Sequence, residues 1–322
     1  MKEKTKILTV TLNPAVDLAC TVPGFALDQV NRAVSFRSDA GGKGVNIARL
    51  LRLFGLEVGA TGFLGRENQE IFEKLFKDQR IEDTFIRIPG STRIGIKILD
   101  TTTQTTTDIN LPGLTPGTEQ LVRLFDTVER QLQDTSMVIV AGSLPPGVPT
   151  DTIGRLVELI KSRQVKVFVD TSGPALAHAI KARPTLIKPN LEELAEYLGH
   201  PLNDNREILR EAKKLIDTGI ETVVVSLGER GALFVEKDAS FFTTPPAVEV
   251  VSTVGAGDAM VGSMAAGLAK SLSLQERARL ATAVSAAVVT QPGPGLLSLA
   301  GIGSIEHQVV IKNENPDGGT DE

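Results

Sequence analysis

Short apolar runs recur along the chain at positions 7–10, 58–62, 137–140, 165–169, 185–188 and 222–226. Between most of them lie longer stretches in which apolar residues return every three or four positions. The short runs predict buried strands and the longer stretches predict helices at 45–54, 68–77, 118–133, 151–162, 206–217 and 274–289. In the first of these, Ile47, Leu50, Leu51 and Phe54 share one face, while Asn46, Arg49 and Arg52 occupy another. Strands that alternate with helices predict an α/β fold with a mostly parallel, doubly wound sheet covered on both faces.

Two stretches break this rhythm, 21–39 and 91–111, and both carry β-branched residues without a helical period. Arg93-Ile94-Gly95-Ile96-Lys97-Ile98-Leu99 alternates polar or small residues with apolar ones, as a half-exposed strand does. A small separate sheet is therefore expected, built from about 13–39 and 91–111 within a single domain spanning 1–312. It could fold over the carboxyl edge of the main sheet as a lid, or pair with a second subunit, and an exposed strand edge favours the second arrangement. The polar, acidic tail at 313–322 is expected to be disordered.

Composition narrows the partners. Lys and Arg number 34 against 39 Asp and Glu, with no basic run, which argues against a general nucleic-acid or membrane-surface role. A phosphorylated ligand would need locally placed cations. Cys20 is the single cysteine, so neither an internal disulfide nor a cysteine metal cluster can form. The charged start at 1–6 lacks the apolar core of a signal peptide, and the apolar stretch at 280–290 is too short for a membrane span, so a cytoplasmic enzyme is expected.

The richest segment is Ser252-Thr253-Val254-Gly255-Ala256-Gly257-Asp258, set between an expected short strand at 248–251 and an expected helix at 259–268. Backbone N–H groups at such a helix start are unpaired, so Gly255, Ala256 and Gly257 could line an anion, with Asp258 beside it as a base. A glycine turn with a capping Asp fits the same letters. A second glycine cluster, Ala40-Gly41-Gly42-Lys43-Gly44-Val45-Asn46, is neither a Walker loop nor a dinucleotide fingerprint. It suits close backbone approach to a polar ligand, with Lys43 or Asn46 reaching it, or else a tight turn.

Asp17 follows the first strand, where ligands of doubly wound sheets lie, and could accept hydrogen bonds from sugar hydroxyls. Ser143 holds the equivalent place after the strand at 137–140, in a segment without a serine-hydrolase elbow. Asn190 and Glu193, three apart after Lys188, could cap a helix or hold hydrated Mg²⁺. The 226–231 segment, with Ser226, Gly228 and Gly231, could be a hairpin turn or a nucleotide-facing loop. His178, His200 and His307 have no metal-ligand spacing.

Together these residues resemble the phosphofructokinase B branch of the ribokinase-like sugar kinases, from about residue 7 to 299. The paired glycine signatures at 40–48 and 252–258 carry the likeness. The resemblance implies a ribokinase-like doubly wound sheet with a small β lid, and a homodimer formed through that lid. It implies ATP-dependent phosphorylation of a sugar hydroxyl, with Asp258 as base and the Gly255, Ala256 and Gly257 amides as anion hole. Asp17, Gly42, Asn46 and Ser143 match sugar-contacting positions, and Arg93, Lys43 and Arg32 would bind the phosphate of a phosphorylated ketohexose. Lys188 and Asn190, with Glu193 for Mg²⁺ through water, match the nucleotide and magnesium motif; Ser226, Gly228 and Gly231 match a loop that touches ATP. The segments at 63–68 and 252–254 are most similar to members acting on fructose 1-phosphate. Members acting on tagatose 6-phosphate or fructose 6-phosphate are the nearest alternatives, and a non-catalytic sugar-phosphate-binding regulator is the alternative of another class. One departure is Ser252, where many members carry Asp beside a monovalent-cation site, so cation activation does not carry over.

Overall fold

The structure, a computed structural model, describes residues 5–291, 293, 295–296 and 298–314. Its strands in chain order are β1 (Lys6–Thr11), β2 (Ala15–Thr21), β3 (Ser35–Gly41), β4 (Val58–Gly65), β5 (Glu82–Asp83), β6 (Ile86–Ile88), β7 (Ile94–Asp100), β8 (Thr105–Asn110), β9 (Thr135–Ala141), β10 (Lys166–Asp170), β11 (Leu186–Ile187), β12 (Thr222–Ser226), β13 (Ala232–Val235), β14 (Ser240–Thr244) and β15 (Val310–Asn313). The helices are α1 (Lys43–Leu53), α2 (Glu70–Gln79), α3 (Thr118–Gln131), α4 (Thr152–Ser162), α5 (Gly173–Ala182), α6 (Leu191–Leu198), α7 (Asn205–Asp217), α8 (Ala256–Ala269), α9 (Leu274–Val288) and α10 (Ile302–Gln308).

The main sheet runs β15-β14-β13-β12-β11-β10-β9-β1-β4-β5, with β6 also on β4. Pairing is parallel from β5 to β12 and antiparallel from β12 to β15. Both faces are dry because successive strand residues point to opposite sides and both sides are apolar. Leu8, Val10, Val138, Val140, Val167 and Val169 pack with α3, α4, α5 and α7 on one face. Ile7, Ile139 and Phe168 pack with α1, α2, α8 and α9 on the other.

A second sheet, β3-β2-β7-β8, stands apart from the first. It occupies the two stretches that lack helical rhythm, although 22–34 is an irregular loop between β2 and β3 rather than strand. The β7–β8 hairpin is secured at its tip by Asp100, whose carboxylate accepts from the Thr102 N–H (2.9 Å), the Thr103 hydroxyl (2.9 Å) and the Gly24 N–H (2.7 Å).

Three expectations change. The segment at 248–251 is not a strand: the Val251 and Ser252 N–H groups donate to the Val289 carbonyl beyond α9 (2.8 and 3.1 Å), so their bonds go to a helix end instead of a ladder. The helix expected from 259 begins three residues earlier, at Ala256, and takes the glycine signature into its first turn. Asn313, expected to open a disordered tail, instead pairs with Phe241 at the end of β15; the rest of that expectation, 315–322, lies outside the described residues.

The α1 helix joins the glycine cluster to the core through Leu51, which is fully buried. Leu51→Ala should therefore lower unfolding free energy by about 2–5 kcal/mol, whereas exposed Val122→Ala on α3 should stay within about 0.5 kcal/mol of native, as read by denaturant midpoints.

Candidate active site

Gly255 sits in the left-handed region at φ 85° and turns the chain into α8. The Gly255 carbonyl accepts from the Ala259 N–H (2.8 Å), so the Ala256, Gly257 and Asp258 amides lie ahead of the helical ladder and open toward its N-terminal end. No described side chain caps them. The α9 helix braces this turn from behind, where the Ser285 hydroxyl donates to the Ala256 carbonyl (3.0 Å). Asp258, in the first turn, is only 7% exposed, and its Oδ2 accepts from Asn46 Nδ2 at 2.8 Å. That bond joins the two glycine signatures across 212 positions of sequence.

Beside this pair lies Asp170, fully buried at the carboxyl end of β10. Its Oδ1 accepts from Lys43 Nζ at 2.9 Å and stands 3.5 Å from Lys188 Nζ. Burial works to raise the Asp170 pKa, but the two ammonium groups outweigh it and hold the carboxyl below the usual carboxylate value. Burial likewise works against the charge on Lys43, and Asp170 and Asp258 overcome it, so that ammonium is held charged well beyond its ordinary range. Asp258 has the opposite balance. Burial first, and repulsion from Asp170 second, push it up to about 6, with Asn46, Lys43 and Lys188 pulling the other way. A carboxylate tuned near neutrality in a water-poor site is suited to taking a proton.

Asp258, Asn46, Lys43 and Lys188 face a cleft of about 410 Å³ beyond the carboxyl ends of the parallel strands, with the small sheet as its opposite wall, while Asp170 is buried behind the two lysines. A broader depression of about 600 Å³ at the start of α7, with Arg206 and Arg230, has no buried acid in its lining. The small sheet contributes Asp17, Arg93, Lys97 and Asn110 to the cleft. Burial raises the Asp17 pKa, while Lys97 and then Arg93 draw it down. Arg93 is loosely held, donating to the Asn13 carbonyl at 3.3 and 3.4 Å and to Asn110 Oδ1 at 3.4 Å.

Of the residues singled out in the sequence, Asp17, Gly42, Lys43, Asn46, Arg93, Lys188, Asn190, Glu193, Ser226, Gly255, Gly257 and Asp258 all line this cleft, and Ala256 lies between two of them. Ser226 N–H donates to the Pro189 carbonyl (3.1 Å), which sets β12 beside Asn190. Asn190 and Glu193 form a reciprocal cap on α6: Glu193 N–H donates to Asn190 Oδ1 (2.7 Å) and Asn190 N–H to Glu193 Oε2 (2.8 Å). Gly228 and Gly231 belong to the turn joining β12 to β13 and lie outside the lining, as does Ser143, whose Oγ accepts from Asn13 Nδ2 at 3.1 Å. Arg32 is on the exposed 22–34 loop and is not among the residues lining this cleft. The sequence reading missed Asp170, Lys97 and Asn110. Asp170 closes the apolar strand Val167-Phe168-Val169, and an acid at the end of such a strand was its only signal.

Comparison with known proteins agrees with this geometry. The profile of the "pfkB family carbohydrate kinase" family matches residues 5–299. The 1-phosphofructokinase of Rhodobacter capsulatus is 40% identical over 312 residues, covering 97% of this chain and 99% of that protein. The 1-phosphofructokinase of Escherichia coli K12 is 37% identical, covering 90% and 93%. Phosphofructokinase-2 from Escherichia coli, solved in complex with potassium, superposes with a TM-score of 0.88 at 29% identity, covering 94% of this chain and 99% of that one. A possible 1-phosphofructokinase from Thermotoga maritima superposes with a TM-score of 0.88 at 27% identity, covering 96% and 100%.

Burial of Asp258 has a measurable consequence for stability. Its folded pKa of about 6 lies above the ordinary 3.8, so the folded protein holds this proton more tightly than the unfolded chain. Stability on this account is greatest below about pH 4, falls as pH rises to about 6, and carries the full penalty above that, on the order of 3 kcal/mol. Asp258→Asn should thus be more stable than the native protein at pH 7.5, by up to that amount, with the gain vanishing near pH 4. Chemical denaturation of both proteins at the two pH values checks this; equal stabilities at pH 7.5 would refute the strain on Asp258.

Proposed function

The chain belongs to the pfkB family of carbohydrate kinases, and from that membership we propose that it phosphorylates fructose 1-phosphate with ATP, giving fructose 1,6-bisphosphate. The observation that carries the chemistry is the buried Asp258 at the open start of α8, oriented by Asn46 and set beside two lysines. The ketose assignment rests on the curated relatives named 1-phosphofructokinase, at 37–42% identity. Transfer to a 6-phosphorylated ketose is the second reading, supported by the likeness to a phosphofructokinase-2 solved with fructose-6-phosphate.

In this reading Asp258 accepts the proton of the attacking hydroxyl as the bond to phosphorus forms. The Ala256 and Gly257 amides, with that of Gly255, stabilise the negative charge on the transferring group, and Lys43 and Lys188 add fixed positive charge on the same side. A Cβ on Gly257 would lie 3.4 Å from Lys188 Nζ, so glycine keeps open the space where phosphate oxygens would meet amide and ammonium together. Asp17 accepts hydrogen bonds from sugar hydroxyls, and Arg93 takes the existing phosphate; its weak present partners can be exchanged. Mg²⁺, which neutralises phosphate charge when bound, fits Glu193 through water, since Oε2 is engaged in the cap and Oε1 is not. Direct ligation by several acids does not fit, because no cluster of three or more ligating side chains exists among the described residues. Ser143, Gly228 and Gly231 support neighbouring loops in this scheme, Ser143 through its bond to Asn13.

We further propose a homodimer through the small sheet. Its outward face carries Phe36 (76% exposed), Ile94 and Ile109, next to Leu27 and Val30 of the adjoining loop. An apolar surface of this kind calls for cover, and a second copy supplies one of matching chemistry. Arg32, on the same loop and outside its own cleft, would then serve the cleft of the partner. No described helix is long and apolar enough to cross a membrane, and a cytoplasmic site of action accords with the soluble sugar phosphate.

Initial rates of ADP formation with Mg-ATP and fructose 1-phosphate, tagatose 6-phosphate, fructose 6-phosphate or fructose test the assignment: kcat/KM should be far highest for fructose 1-phosphate, and preference for a 6-phosphate would reverse the sugar's orientation. Asp258→Asn should lose about a thousandfold in kcat while sugar-phosphate binding by calorimetry persists; unchanged turnover removes Asp258 as the base. Arg93→Ala should raise KM for the phosphorylated ketose with little change in kcat, and a native KM would remove Arg93 from the phosphate site.

A further inference from the structure

The function proposed above leaves Lys97 unused, although it lines the cleft and is the foremost cation acting on Asp17. Side chains alternate along β7, so Gly95 and Lys97 share a face with Arg93, which immediately precedes the strand, and Arg93 and Lys97 line the cleft. Register places Gly95 between Asp17 on β2 and Asn110 on β8, and places Lys97 between Ala19 and Asp108. A Cβ at Gly95 would approach Asp17 Oδ1 to 3.0 Å, so glycine makes the room that Asp17 occupies, with one cation two residues before it and one two residues after it. Ala19 stands opposite Lys97, whose side chain keeps only 22% of its surface exposed. The only partner of the ammonium among the described side chains is Asp108 at 2.8 Å, and Asp108 is half exposed.

We propose that Lys97 is a specificity-determining residue that, with Arg93, reads the phosphate already on the ketose, and that Asp108 holds its ammonium until that phosphate replaces the carboxylate. The inference rests on the reading of the substrate as a phosphorylated ketose. The pair is half open to water at its Asp108 end, which weakens it, whereas a phosphate in the cleft offers a dianion with more acceptor oxygens at a less hydrated position. The exchange also explains why a cation is held beside Asp17 without being consumed by it: Asp108 occupies the lysine and leaves the Asp17 carboxylate available for hydroxyls.

The test measures Lys97→Gln, Lys97→Arg and Asp108→Asn beside the native protein, on fructose 1-phosphate, fructose 6-phosphate and unphosphorylated fructose. Lys97→Gln should raise KM for the preferred sugar phosphate by about ten- to a hundredfold, the range expected for one charge-assisted contact, with kcat and the KM for ATP within about twofold of native. Its kcat/KM on fructose should not fall, so discrimination shrinks. Lys97→Arg should recover most of the affinity, and Asp108→Asn should lower the KM for the sugar phosphate by freeing the ammonium. Unchanged discrimination in Lys97→Gln, or an equal loss on phosphorylated and unphosphorylated sugars, would overturn the role of Lys97; a raised KM in Asp108→Asn would overturn the exchange. If the native protein prefers a sugar phosphate other than fructose 1-phosphate, the substrate assignment fails while Lys97 is still judged on the sugar phosphate it does prefer.

Discussion

One buried carboxylate organises the site. Asp170 has no exposure to water and survives as an anion because Lys43 and Lys188 meet it from two different elements. The relation is reciprocal, since two ammonium groups could not be held so close without an anion between them. The same charge reaches Asp258 and repels it. Asp170 thus does two things at one position: it gathers two ammonium groups beside the cleft and raises the proton affinity of the neighbouring acid.

The scaffold supplies what this arrangement needs, which is rigidity on the side away from the ligand. Asp170 and Lys188 lie at or just beyond the ends of adjacent parallel strands, with buried valines and Phe168 behind them. Lys43 and Asn46 ride on the first turn of α1, and Asp258 on the first turn of α8, two helices packed on the same face of the sheet. The α8 helix is buried through its middle, and the bonds of Ser285 and Val289 fasten its start to α9. A helix start fixed in this way can present its amides without moving when charge develops.

The small sheet divides its labour by the period of two. Arg93, just before β7, and Gly95 and Lys97 on it turn to the cleft side, while Ile94, Ile96 and Ile98 form the apolar reverse side. The β3 strand repeats the pattern, with Phe36 outward and Arg37 paired to Asp39 at 2.6 Å. Four strands can thereby offer charge to a ligand on one side and an apolar surface on the other, at the cost of being unable to bury either alone.

Much of this was legible because it is local. Short apolar runs marked the central strands, period-3.6 patterns the long helices and period-two alternation the β7 strand; the glycine clusters marked both helix starts. The Asn190-to-Glu193 spacing allowed the cap that forms on α6. Pattern failed where backbone bonds go to distant partners: 248–251 has the letters of a strand, but prolines 245 and 246 lead into it and its N–H groups find Val289. The sequence by itself determined the layered α/β architecture, the inserted second sheet and the residue types at each helix mouth, since propensity, turns and alternation act over a few residues. Only the tertiary structure decided that Asn46 orients Asp258, that Asp170 binds two lysines, and that Ser143 meets Asn13 while Asn13 holds Arg93. Those outcomes depend on contacts between residues far apart in sequence and on removal from water, and neither is encoded in any short stretch of chain.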